Sequence, residues 1–138
     1  MNWFLWALLS AFFAGLTAIL AKIGVEHVNS NMATAIRTVV ILVFAWSVAW
    51  FTKSQSLSTI GKRTWIYLGL SGIATGLSWL CYFRALQLGE ASKVAPVDKL
   101  SVVIAIALAA IFLHEPLTWR HWVGGLLIFT GATVLAYA

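Results

Sequence analysis

Asn2–Ala21, NWFLWALLSAFFAGLTAILA, carries no charged side chain and is closed at once by Lys22. As a helix, about 20 such residues match a hydrocarbon core roughly 30 Å thick. Three further blocks read the same way: Met32–Phe51, Trp65–Leu88 with Arg84 near its end, and Trp119–Ala138. The first block exceeds the apolar region of a signal peptide and has no basic lead-in, so a retained helix is expected. The fourth block is less uniform. Leu100–Leu113 alone is short for a span, and extension back to Ala91 takes in Lys93, Pro96, Asp98 and Lys99. We expect a full crossing with polar first turns, broken near Pro96. The alternative is a re-entrant half-helix, which leaves four crossings.

Composition agrees with the blocks. Of 138 residues, 62% are hydrophobic and only 9% charged, with a single cysteine. A soluble domain carries about a quarter charged residues. A water-soluble globule, a disulfide scaffold and a disordered tail are therefore excluded. The net charge of +5 is dispersed between blocks, unlike the dense basic face that nucleic acid requires. The expected class is all-α: a polytopic integral membrane protein with five transmembrane helices over about 2–21, 32–51, 65–88, 91–113 and 119–138, forming one domain, 1–138.

Orientation is poorly specified. The N-terminal side holds Lys53, Lys62, Arg63 and Arg120, while the opposite side holds Lys22, Arg37, Arg84, Lys93 and Lys99. Orientation follows the Lys/Arg excess in short cytoplasmic loops, and here the two sides nearly balance. Either a small excess sets one orientation, or the chain inserts both ways and forms an antiparallel pair. Trp3, Trp6, Trp46, Trp50, Trp65, Trp119 and Trp122 fall near the N-terminal side and read as an interfacial belt. Trp79 alone lies deep in a block.

Small and hydroxylated residues recur at helical spacing: Ser10, Ala14, Thr17 and Ala21; Ser30, Thr34, Arg37 and Thr38; Ser71, Thr75, Ser78 and Tyr82. Such stripes serve helix packing in membranes, and together they also suit a shared polar interior. Gly72 and Gly76 form a GxxxG pair, and Gly124 and Gly131 share a face two turns apart; close helix approach, within or between chains, is their expected role. Charged residues inside spans are costly and so are functional candidates. Arg37, Asp98, Lys99 and Lys22 qualify. They form either an ion-pair network around Asp98, or a proton or cation site at Asp98 with the bases receiving anionic groups. Enzyme chemistry finds no support: His27, His114 and His121 lack metal-ligand spacing, and no nucleophile is paired with a base. No metal or cofactor is expected.

The stretch Ala91–Ser101, ASKVAPVDKLS, resembles the start of the fourth helix in the small, single-unit EamA-type members of the drug/metabolite transporter superfamily. Ala14–Ala18 with Lys22, Ala33–Thr38, and His114–Thr118 leading into a glycine-rich helix fit the same pattern, so the resemblance runs from about residue 3 to 137. It implies a five-helix unit that pairs with a second copy, and the balanced charge fits an antiparallel homodimer. Gly124 and Gly131, with Ile128 between, also look like the dimerisation helix of small multidrug resistance proteins. Those use a glutamate in the first helix for proton coupling, which is absent here; Asp98 is the carboxylate left to replace it.

The resemblance implies a secondary transporter or exporter of small organic metabolites or drug-like solutes, working by alternating access. It would sit in the bacterial or archaeal cytoplasmic membrane. The expected cavity is lined by Thr17, Thr34, Arg37, Thr75, Trp79 and Asp98, with Trp79 an aromatic wall for apolar or cationic solutes. The alternatives are a subunit of a lipid-carrier flippase and a non-transporting partner of another membrane protein.

Overall fold

The computed structural model describes residues 2–52 and 56–138. Lys53, counted above among the basic residues of the N-terminal side, lies outside them. The described chain is helical, in the order α1 (Trp3–Gly24), α2 (Ser30–Phe51), a short 3-10 turn (Leu57–Thr59), α3 (Lys62–Leu88), α4 (Ala91–Asp98), α5 (Leu100–Phe112) and α6 (Trp119–Ala136).

Four stretches are long and apolar enough to cross a membrane: α1, α2, α3, and α4–α5 taken together as Ala91–Phe112. α6 completes the set of five long helical stretches but falls outside that group, since Arg120 and His121 occupy its first turn. In water, so much exposed apolar surface would drive association: Phe44 is 69% exposed and Trp50 83%. In hydrocarbon it is ordinary. Only Ala18, Ala21, Val25, Phe83, Leu86 and Ala132 form a buried apolar set among the described residues.

Several hydroxyls along the long helices bond to their own helix. Thr34 donates to the Ser30 carbonyl at 2.9 Å, Thr38 to Thr34, Ser47 to Val43, Thr75 to Ser71, Thr130 to Leu126 and Thr133 to Phe129. Each bond reaches back one turn, which satisfies the hydroxyl where no water can. Thr34, Thr38 and Thr75, members of the polar stripes, therefore spend their hydrogens on their own helices.

Helix ends follow local chemistry. α2 starts at Asn29, whose side chain accepts the Asn31 N–H at 2.9 Å. α6 starts at Thr118, whose backbone N–H donates to Nδ1 of His121 at 3.0 Å, the reach-back half of a capping box. After α5, His114 takes a left-handed backbone with φ 53°, and the Glu115 N–H turns back to the Ala109 carbonyl at 3.3 Å.

The fourth block is interrupted, but at Lys99 rather than at Pro96. Pro96 is accommodated inside α4. Its ring has no N–H to give to the preceding turn. The chain then tightens: the Lys99 N–H bonds to the Pro96 carbonyl and the Val102 N–H to the Lys99 carbonyl, both at 3.0 Å. These are three-residue steps, a 3-10 turn between two α-helices. The length of Ala91–Phe112 suits a full crossing rather than a half-helix.

The chain divides into two compact units. One contains the residues up to Ile23 together with Leu88–Ala138; the other is Gly24–Gln87. In the first, α6 packs against α4 and α5. In the second, α2 and α3 are joined by long side chains.

Candidate functional site

Within Gly24–Gln87, α2 and α3 bring a cation onto aromatic rings. Arg37, the second turn of α2, places its guanidinium carbon 4.4 Å from the Trp79 ring centre and 5.3 Å from that of Phe83. Trp79 and Phe83 are four apart, so one face of α3 presents both rings. Contact at this range is a cation–π interaction, stronger when water is excluded. Arg37 is half-buried and none of its N–H groups meets an acceptor among the described residues. Thr34, one turn earlier on α2, is buried at 6% exposure. Thr75, one turn before Trp79, is exposed within the chain.

Of the six expected cavity residues, the structure joins Arg37 to Trp79 and places Thr34 and Thr75 on the same two helices. Thr17 and Asp98 lie in the other unit. There the Asp98 carboxylate meets Nζ of Lys99 at 3.2 Å. Their backbone bonds diverge by about 100° on a helix, but the junction between α4 and α5 lets the two side chains meet. Nζ of Lys22 donates to the Gly89 carbonyl at 2.9 Å. Lys93 lies 3.9 Å from Glu90, an exposed pair of small energetic weight.

A Cβ added at Gly72, Gly76, Gly124 or Gly131 would meet nothing within 4 Å. Each of these positions is therefore open to that distance among the described residues.

Two contributors escaped the sequence reading. Phe83 read as an ordinary apolar residue, although its spacing from Trp79 was the available signal. Gln87 lies at the end of α3. Its Nε2 donates to the Val25 and Val28 carbonyls at 3.2 and 2.6 Å, and its Oε1 accepts from Arg84 at 3.0 Å. It thereby fastens the 25–29 turn to α3. A further cavity of about 220 Å³ lies between α5 and α6, walled by Val103, Ile106, Trp122 and Phe129 with His121 at its edge. Among the described residues no cluster of His, Cys, Asp or Glu has the makeup of a metal site.

Comparison with known proteins gives this arrangement a setting. The model of the EamA-like transporter family matches residues 1–137. An uncharacterized transporter in the cobO 3' region of a Sinorhizobium species is 54% identical over 136 residues, covering 98% of this chain and 96% of that one. The uncharacterized transporter YvbV of Bacillus subtilis is 35% identical over 115 residues, 83% of this chain but 37% of the longer relative. A probable 4-amino-4-deoxy-L-arabinose-phosphoundecaprenol flippase subunit, ArnE, of an Enterobacter species is 38% identical over 87 residues, or 62% of this chain and 80% of that one. No solved structure matches. With its apolar helices and a match running through α6, this multi-pass membrane protein belongs to the EamA-like transporter family.

Proposed function

We propose that the chain is a secondary transporter of small organic solutes, working by alternating access as a homodimer in a cytoplasmic membrane. All five long helical stretches then cross, α6 included, and residues 1–138 act as one domain. The observation that carries this reading is the extent of the family match, which takes in every described helix. Arg37, Trp79, Thr34, Thr75, Thr17 and Asp98 are the residues we propose to meet the solute, as polar and charged residues in spans commonly do. Asp98, held against Lys99, is the carboxylate available for proton coupling. Gly124 and Gly131, whose faces are open in the single chain, would meet the second copy. We assign it no enzymatic step.

The test is the solute content of the medium. Cells producing the wild-type chain are compared with cells producing Asp98→Asn at equal membrane levels, by untargeted mass spectrometry. Wild type should shift the external level of a small set of solutes several-fold, and Asp98→Asn should not. Identical profiles for wild type, variant and empty cells would favour a non-transporting partner. The likeness to ArnE supports a second reading, a subunit of a lipid-carrier flippase. Under that reading, the shift should appear only when a second, different chain is produced with it.

A further inference from the structure

The geometry points to Arg37, backed by Trp79 and Phe83, as a binding site for an oxyanion carried on an apolar or aromatic body. This names the substrate class of the proposed transporter and rests on that reading.

Three observations support it. First, the Trp79 face expected to receive cationic solutes is already covered by a guanidinium at 4.4 Å. A second cation there would meet a like charge in a medium that screens poorly. Second, no ion pair neutralises the guanidinium among the described residues. The only carboxylate of Gly24–Gln87 is Glu26, in the turn after α1, and no ion pair joins it to Arg37 among the described residues. An unpaired cation inside a span is costly, so a ligand that pairs with it gains more than one meeting a solvated surface arginine. Third, no hydrogen bond joins Arg37 to the Thr34 or Thr75 hydroxyl among the described residues. Thr34 and Thr75 each donate to their own helix at 2.9 Å, and no acceptor among the described residues meets the donors of Arg37. A planar fork held against rings is set for bidentate capture of a carboxylate or phosphate. The rings beneath it offer the ligand body an apolar surface.

Two sources share this chemistry: a water-soluble organic acid and the phosphate of a lipid headgroup. The experiment uses the full chain in dodecyl maltoside, a detergent without phosphate. In one arm, binding of radiolabelled phenylacetate is measured by equilibrium dialysis, with phenylacetamide and phenethylammonium as neutral and cationic competitors. In the other, dimyristoyl phosphatidylglycerol is added and the phosphorus retained through size exclusion is counted.

We expect one anion to bind wild type, at least tenfold more weakly to Arg37→Gln, and at an intermediate level to Arg37→Lys, which keeps the charge but not the fork. Phenethylammonium should not displace it. The arm that responds identifies the source. Equal binding by wild type and Arg37→Gln, displacement by phenethylammonium as readily as by phenylacetate, or no binding in either arm overturns the assignment. If Arg37→Gln fails to elute as the wild type does, Arg37→Lys and Trp79→Phe carry the comparison. Binding needs no gradient. Arg37-dependent binding without exported solute would count against transport alone; exported solute without such binding would count against the anion site alone.

Discussion

His114 shows how a single position stores strain in a protein otherwise built of regular helices. Its φ of 53° crowds the Cβ of an L residue, at a cost of about 1–2 kcal/mol. Glycine is free of that crowding and favours the residue after a helix end. His114→Gly should therefore raise the thermal unfolding midpoint in detergent, with a gain of about 1 kcal/mol. A lower midpoint would mean that the imidazole makes a contact worth more than the strain. Neither His114 nor Gln87 announced itself in the sequence. A backbone in the left-handed region and a side chain that gathers two carbonyls from a turn 59 and 62 residues away are consequences of how the chain folds back. The charged positions were legible, because Arg37, Asp98, Lys99 and Lys22 interrupt apolar blocks. Their partners were not.

The same contrast holds for the helices. Apolar runs of span length predicted α1, α2 and α3 to within a few residues at each end, and bounded the fourth block. Pro96 marked that block as irregular, yet the interruption appears three residues later. The missing N–H frees a carbonyl one turn back, whereas the turn forms where the next N–H groups step to three-residue partners. Pro96→Ala restores the absent bond. It should stabilise the chain by up to about 3 kcal/mol and slow amide hydrogen exchange from Lys99 to Val102 as α4 and α5 merge. Unchanged exchange there would place the cause in the Asp98–Lys99 pair instead. The hydroxyl stripes are a further case where spacing was right and inference incomplete. The faces exist, but the Thr34, Thr38 and Thr75 hydroxyls spend their hydrogens on their own helices, so the stripe alone does not make a donor-lined interior.

For the molecule as a whole, the open glycine faces and balanced loop charges bear on one measurement. Cys81, the free cysteine, is exposed and is replaced by alanine; a cysteine is added after Ala138, and intact cells are labelled with an impermeant maleimide. About half of the chains should label from outside, as an antiparallel pair requires. Labelling of nearly all or of none would fix one orientation and rule out dual topology. In the same background, Gly131→Leu should leave the monomer folded, because its side chain enters open space. It should also abolish the dimer read by light scattering in detergent if that face meets the second copy. Retained dimer would move the interface elsewhere.

Length, apolar blocks and the placing of charge by themselves determined that this protein is helical and crosses a membrane several times. They act along the chain: a run of about 20 apolar residues has no other stable home, and a backbone in lipid must satisfy itself. The match of the whole chain to a transporter family was legible there too, in motifs such as Ala91–Ser101. Tertiary structure decided which charges are answered. Asp98 meets its neighbour and Lys22 a backbone carbonyl, while Arg37 rests on Trp79 and Phe83 with no acceptor for its donors among the described residues. That outcome depends on distances between helices some 40 residues apart in the chain, which periodicity along one helix does not encode.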